Sequence, residues 1–138
     1  MSLSQQIIYG TLESVKAVLT QVKDLDLIDE YGYTPLIQTA IVNNIDMTKA
    51  LLAAGADVDM PDLTGRTALH WAVDNASQDL AQVLLEAKAN PNRYTVASQP
   101  VLSKSILRHD APMKALLTRF SADTTFANDY INAKLLGH

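Results

Sequence analysis

The stretch DEYGYTPLIQTAIVNNIDMTKALLAAGADVDM, residues 29–60, decides the fold, because much of its pattern recurs 33 residues later. The recurring pairs are Gly32 and Gly65, Thr34 and Thr67, Leu36 and Leu69, Leu51 and Leu84, Leu52 and Leu85, and Ala56 and Ala89. A fixed period of about 20 to 50 residues is the signature of supersecondary units that stack in an array. The period therefore predicts a repeat protein.

Three short motifs identify the kind of repeat. They are Gly-x-Thr-Pro-Leu at 32–36, Gly-x-Thr-x-Leu-His at 65–70 and Leu-Leu-x-x-Gly-Ala-Asp-Val at 51–58. With these motifs the chain closely resembles the ankyrin-repeat family. The resemblance implies an all-α repeat solenoid of about four helix-turn-helix repeats with short β-turn or hairpin loops. It also implies a protein-binding function along the hairpin tips and the concave face, without catalysis and without a cofactor.

The repeat frame organises the whole chain as one domain. We expect repeats at about 1–28, 29–61, 62–94 and 95–127, and residues 128–138 as a capping helix or the start of a fifth repeat. The first repeat lacks its own Gly-x-Thr-Pro turn, which is typical of a terminal unit with a neighbour on one side only. The fourth is degenerate but keeps the period without an insertion. Because the pattern ends without a polar cap, a piece of a longer protein is an open alternative.

Local signals within the repeats agree with this frame. Gly32 suits a turn with positive φ, Thr34 suits the N-cap of a helix, and Pro35 suits its first turn. Gly55 is expected to end the next helix in a left-handed conformation. Lys88 stands at the same place in the third repeat, where a residue with a Cβ costs about 1 kcal/mol.

Composition restricts the class of partner and the compartment. The 138 residues carry a net charge of −4, and the eleven basic residues are scattered, which argues against a nucleic-acid partner. The sequence has no Cys, which excludes disulfides and agrees with an intracellular setting. No apolar run approaches 18 residues, so we expect no membrane insertion. We expect a monomer in the cytoplasm, or in a host cell's cytoplasm if the chain belongs to a secreted bacterial effector.

Residues that suggest metal or catalytic chemistry have a structural explanation. His70 occupies the His of the family motif, where it is expected to hydrogen-bond neighbouring turns, and Trp71 is expected to contact the adjacent helix in the core. His109 and His138 lack metal-ligand spacing. The acidic residues 24, 26, 57, 59 and 62 recur in the frame and are expected to be solvated turn and cap acids. No catalytic or phosphate-binding motif is present, so we assign no metal site and no enzyme activity.

The family's partner-facing positions can be transferred to this chain through the frame. They are Ile8, Tyr9, Glu30, Tyr31, Tyr33, Ile41, Val42, Leu63, Arg66, Asp74, Asn75 and Arg108, with Thr64, Val96, Ala97, Gln99 and Leu107 at further equivalent positions. The first two repeats fill them with apolar and Tyr residues and the third with polar ones, which is the composition of an interface core and its rim. Burial of Ile41 and Val42 in the core is an equal alternative. Tyr31 and Tyr33 flank a turn glycine, where burial is harder, so we hypothesise a partner site centred on Tyr9, Tyr31, Tyr33 and Arg66.

One further position follows from the resemblance alone. Asn92 stands at the hairpin Asn that is hydroxylated by an asparaginyl hydroxylase in some family members. Pro91 departs from the usual Val or Ile before it. Asn92 is therefore a candidate modification site with an atypical context.

Three functions remain open from the sequence. The first is a protein-binding module. The second is the targeting module of a larger enzyme or bacterial effector, with the active domain beyond residue 138, since the loose consensus looks somewhat like ankyrin proteins of intracellular bacteria. A spacer without a partner would show a polar concave face, and the Ile8, Tyr9, Tyr31 and Tyr33 cluster argues against it.

Overall fold

A computed structural model describes residues 3–93, 95, 100–120, 122 and 124–136, with the side chains of Thr124 and Phe126 left aside. Within these residues the chain forms nine helices and no strand. The helices are α1 (Leu3–Tyr9), α2 (Leu12–Leu19), α3 (Pro35–Ile41), α4 (Ile45–Ala53), α5 (Ala68–Asp74), α6 (Gln78–Glu86), α7 (Ser103–Leu107), α8 (Ala111–Arg119) and α9 (Thr124–Leu135).

The helices form two layers of a stack. In the inner layer α1 packs on α3, α3 on α5 and α5 on α7, and in the outer layer α2, α4, α6 and α8 follow one another in the same way. Helix α9 packs on α7 at the far end. The predicted all-α repeat solenoid is thus confirmed. We propose the four successive helix pairs as the four repeats, with the boundaries expected from the sequence.

The core repeats with the period of the sequence. Its centre is formed by six leucines, each at most 2% exposed: Leu36, Leu69 and Leu102 in the inner layer, and Leu51, Leu84 and Leu117 in the outer layer. Burying one leucine side chain is worth about 1.5–3 kcal/mol. Because three successive repeats contribute the same two positions, the apolar layer is continuous from one repeat to the next.

The predicted helix starts are also present. Thr34 is the N-cap of α3, where its hydroxyl accepts a hydrogen bond from the Ile37 N–H at 3.2 Å, and Pro35 is the first helical residue. The outer helices begin with a cap at the same frame position each time: Thr11, Asn44, Ser77 and Asp110. Each cap accepts from the backbone three residues further on, which satisfies one of the donors that a helix start leaves unpaired.

Left-handed residues end α4 and α6, as expected. Gly55 has φ of 100° and Lys88 has φ of 74°. In both places the next residue donates to a carbonyl five residues back, Ala56 to Leu51 at 3.1 Å and Ala89 to Leu84 at 3.0 Å. This is the Schellman arrangement, and Lys88 adopts it despite its Cβ.

Two further details complete the helix pairs. Helix α2 ends at Leu19, because Thr20 already serves as the C-cap. The buried stripe of α4 includes Thr48, whereas Ala54 is exposed. Thr48 can be buried because its hydroxyl oxygen lies 2.9 Å from that of Thr39 on α3, so both polar groups have a partner.

Candidate partner-binding surface

Acidic side chains hold consecutive loops together. Asp26 accepts a hydrogen bond from the Asp57 N–H at 2.9 Å, and one period later Asp59 accepts from the Asn90 N–H at 2.8 Å. These acids therefore are turn residues, as expected. Asp62 differs from the expectation of a solvated acid, because it is buried and its carboxylate accepts from the backbone of its own turn.

An ionised carboxylate organises the turn that carries the two tyrosines. Asp29 Oδ1 accepts from the N–H groups of Tyr31 and Tyr33, both at 2.9 Å, and Oδ2 accepts from Gln38 Nε2 at 2.7 Å. Burial raises the pKa of Asp29, but the hydrogen bonds from Tyr33, Gln38 and Tyr31 outweigh it, so the pKa lies below the usual 3.8. The positions of both tyrosines are thus set by a fixed negative charge.

Gly32 is required in this turn for two reasons. Its φ is 84°, which favours glycine, and a Cβ there would meet Leu63 Cγ at 2.5 Å. Leu63 belongs to the next turn and is itself 73% exposed. The missing side chain at Gly32 therefore lets neighbouring turns approach closely while Leu63 stays on the surface.

The first of two depressions, which we call the tyrosine cleft, lies between these turns. It is lined by Tyr31, Tyr33, Asp62, Leu63, Thr64, Arg66 and Trp71. Trp71 meets Tyr33 edge to face, with ring centroids 6.0 Å apart at an interplanar angle of 89°. The Arg66 guanidinium lies 4.4 Å from the centroid of the Trp71 ring and pairs with Asp74. Aromatic and cation–π contacts thus order the floor of this cleft.

The structure corrects the interpretation of two aromatic residues. Tyr33 is half-buried and packs against the core, although we expected it to be exposed beside the turn glycine. Trp71 packs against the core as predicted, but it also lines the cleft, which sequence reasoning missed. Trp71 falls 33 residues after Gln38, and in the structure both side chains contact turn residues, Gln38 through Asp29 and Trp71 through Arg66.

Two buried donors in the cleft lack an acceptor. Arg66 Nε and Trp71 Nε1 have no hydrogen-bond partner among the described residues. Buried polar groups in folded proteins are nearly always paired.

The second depression, which we call the N-terminal groove, lies between α1 and the loop that leads to α3. Its exposed apolar lining comprises Ile8, Tyr9, Leu27, Ile28 and Tyr31. Tyr9 is 78% and Tyr31 is 70% exposed. Tyr31 also lines the tyrosine cleft, so it joins the two depressions. Glu30 is exposed and lines the groove as well.

Other predicted partner positions have a different environment. Ile41 is half-buried against the core, whereas Val42 is exposed, and neither lines the groove or the cleft. Asn75 Nδ2 donates to the Ala40 carbonyl at 3.2 Å, and Arg108 Nη1 donates to the Asp74 carbonyl. Each of these side chains therefore ties one inner helix to the next, and their role in partner binding stays a prediction. The positions Val96, Ala97 and Gln99 lie outside the described residues.

The histidines and carboxylates form no metal site in the described part of the chain. No group of three or more His, Cys, Asp or Glu side chains there could hold a metal ion. His70 is buried, and its Nδ1 accepts from the Thr67 N–H at 3.1 Å, which gives it a structural role at the start of its own helix. His109 is exposed, and His138 lies outside the described residues. No described helix has the length and apolar character that a membrane crossing requires.

Asn92 is exposed in the loop after α6. Its backbone N–H donates to Asn90 Oδ1 at 2.9 Å, which fixes a tight turn. Hydroxylation at Asn92 stays a prediction.

The stacked helix pairs and their turns define the class of this protein. The family model described as Ankyrin repeats (3 copies) matches residues 3–95, and the chain therefore belongs to the ankyrin-repeat family. A search of curated proteins finds no match. Among solved structures, the chain is similar to the Legionella effector AnkH, with 44% sequence identity and a TM-score of 0.91. The similarity covers 100% of this chain and 30% of that one, so the chain spans about a third of the effector's length.

Proposed function

We propose that this chain binds a partner protein through its concave face and turn tips, with Tyr9, Tyr31, Tyr33 and Arg66 at the centre of the site. The observation that carries the proposal is the position of Tyr31, which joins the N-terminal groove to the tyrosine cleft. Together they bring five of the large exposed apolar side chains of the described chain, Ile8, Tyr9, Leu27, Ile28 and Tyr31, next to the cleft residue Leu63. Contiguous exposed apolar surface of this kind marks interaction sites.

The arrangement suits binding more than catalysis. The tyrosines present large, rigid surfaces that lose little conformational entropy on binding, and Tyr and Arg are enriched among residues that dominate interface energies. Arg66 is already oriented by Asp74 and Trp71, which lowers the cost of ordering it in a complex. The family consists of protein-interaction modules, and we propose no enzyme activity for these residues.

Binding to a partner can be tested with three tyrosine substitutions. The Tyr9→Ala, Tyr31→Ala and Tyr33→Phe variant keeps the half-buried ring of Tyr33 and removes the two exposed ones. We expect proteins captured from a cell lysate by the unmodified chain to bind this variant at least about tenfold more weakly.

A tyrosine away from both depressions provides the control. Tyr130 lies on α9, and Tyr130→Ala should leave capture unchanged. Thermal unfolding of each variant checks that the stack is intact. If the tyrosine variant captures the same proteins as strongly as the unmodified chain, the site lies elsewhere.

A second function is favoured by the similarity to the effector AnkH. Since the matched region is 30% of that protein, we propose that these repeats can serve as the targeting module of a larger bacterial effector that acts on host proteins. Its active domain would then lie outside these 138 residues, and the repeats would work inside the host cell. Reading the gene beyond the codon for His138 tests this, because a stop codon directly after it would refute the proposal.

A further inference from the structure

We propose that the N-terminal groove takes a segment of the partner protein that carries bulky apolar side chains flanked by Lys or Arg. The inference rests on the proposed function and names the chemistry of the partner at one part of that surface. It follows from the apolar lining of the groove and from the sign of the charges around it.

Two apolar residues of the groove lining are more exposed than the residues at the equivalent positions of the next repeat. Leu27 is 69% and Ile28 is 47% exposed. One period later the same positions are held by Met60 and Pro61, which are both half-buried. Leu27 and Ile28 therefore leave more apolar surface open than the equivalent residues of the next repeat do.

The lining of the groove combines buried and exposed apolar residues. Leu3 and Pro35 are buried, and Ile8, Tyr9 and Tyr31 are exposed. Exposed aromatic rings beside buried apolar residues can enclose an apolar side chain and exclude water from it. Residues enclosed in this way dominate the energy of many interfaces.

The charged side chains that line the groove have one sign. Among the described residues, its lining includes the carboxylates of Asp24, Asp29 and Glu30 and no Lys, Arg or His. Asp24 and Glu30 are exposed at the rim, and Asp29 is held ionised by its hydrogen bonds. Lys or Arg beside the apolar anchor of a partner would therefore be attracted to this rim, and acidic residues would be repelled.

The same charges argue against a second copy of this chain as the occupant. Two copies meeting through their grooves would place carboxylates against carboxylates, and each chain carries a net charge of −4. Like charges that face each other across an interface oppose association. A segment with basic flanks is the complementary partner.

The test uses a displayed library of short random peptides, selected on the purified chain. We expect the enriched peptides to combine Leu, Ile, Phe, Trp or Met with Lys or Arg, and to compete with one another for one site. A synthetic version of one such peptide should lose at least about threefold in affinity when its basic residues are replaced by Glu.

Paired variants of the chain locate the binding. Leu27→Ala should weaken the selected peptide about tenfold, and Leu135→Ala, which removes an equally exposed leucine from α9, should not. Glu30→Lys should weaken it about three- to tenfold at low salt and less at about 0.5 M salt, since salt screens exposed charges. Glu86→Lys on the outer helix α6 is the matched charge control.

Each other outcome overturns the inference. The groove does not select apolar segments with basic flanks if no peptide is enriched or if the enriched peptides lack basic residues. Equal effects of Glu30→Lys and Glu86→Lys would show the same. Self-association of the chain at the groove would show that a second copy is the occupant. The proposed function fails separately, when the tyrosine variant still captures lysate proteins normally, so the two results can be told apart.

Discussion

Arg66 gives the sharpest test of whether the concave surface is ordered before a partner arrives. Its guanidinium lies over the Trp71 ring at 4.4 Å and pairs with Asp74, and the two charged side chains are 28% and 21% exposed. If these contacts are maintained in solution, Arg66 is held in one orientation. If they are not, it is an ordinary surface cation.

The ion pair and the cation–π contact contribute separately to the free energy of unfolding. A partly exposed ion pair contributes about 0.5–1 kcal/mol after solvent screening, and a cation–π contact at such a site contributes about the same. Arg66→Ala should therefore lower the free energy of unfolding by about 1–2 kcal/mol. Arg66→Lys keeps the charge but loses the planar stack on Trp71, and it should cost about half as much.

The assay is a double-mutant cycle of Arg66→Ala and Trp71→Leu, in which urea unfolding measures the stability of each variant. Far-ultraviolet circular dichroism is the suitable signal, because Trp71 is the single tryptophan and its replacement removes the fluorescence probe. We expect a coupling energy of about 0.5–1 kcal/mol. A coupling below about 0.3 kcal/mol would refute the claim that Trp71 orders Arg66.

Two further predictions concern the turns. Gly55→Ala should destabilise the chain by about 1 kcal/mol because φ is 100°, and the cost should come from the backbone alone, since a new Cβ meets nothing within 4 Å. Lys88→Gly at the equivalent site should stabilise the chain by about 0.5–1 kcal/mol. Urea unfolding measures both, and shifts of the same sign would contradict the reasoning. Asp29 has a lowered pKa in the folded chain, so its contribution to stability is present above about pH 4 and is lost as the pH falls through the folded pKa. Asp29→Asn should therefore be less stable than the unmodified chain at pH 6, and the difference in unfolding free energy should shrink as the pH is lowered below about 4. A difference that stays constant over this range would count against this role.

Much of the fold could be predicted from the sequence, because its determinants are local or periodic. Thr34, Pro35 and Gly55 act within one or two turns of chain, and their preferred backbone angles belong to the residue type. The core leucines were found because stacked units bury the same two positions each time. Even Lys88, which breaks the consensus, was placed in the left-handed region by its position in the frame.

The candidate site was predictable only in outline. The frame placed Tyr9, Tyr31 and Arg66 on the binding side, and the structure puts them along two joined depressions. The repeat frame did not predict that Tyr33 would be half-buried against Trp71, since that contact depends on which side chain the next repeat places beside it.

The sequence by itself therefore determined the repeat, its period, its caps and its core, because these follow from backbone preferences and from burial that every unit shares. Only the tertiary structure decided which exposed positions serve the neighbouring repeat and which remain open. Asn75 and Arg108 were assigned to the neighbouring inner helices by the geometry of the stack. Leu27 and Ile28 are exposed, whereas Met60 and Pro61 at the same positions one repeat later are half-buried. The physical reason is the same in both cases, since the environment of a surface side chain is set by atoms of the adjacent unit that lie far away in sequence.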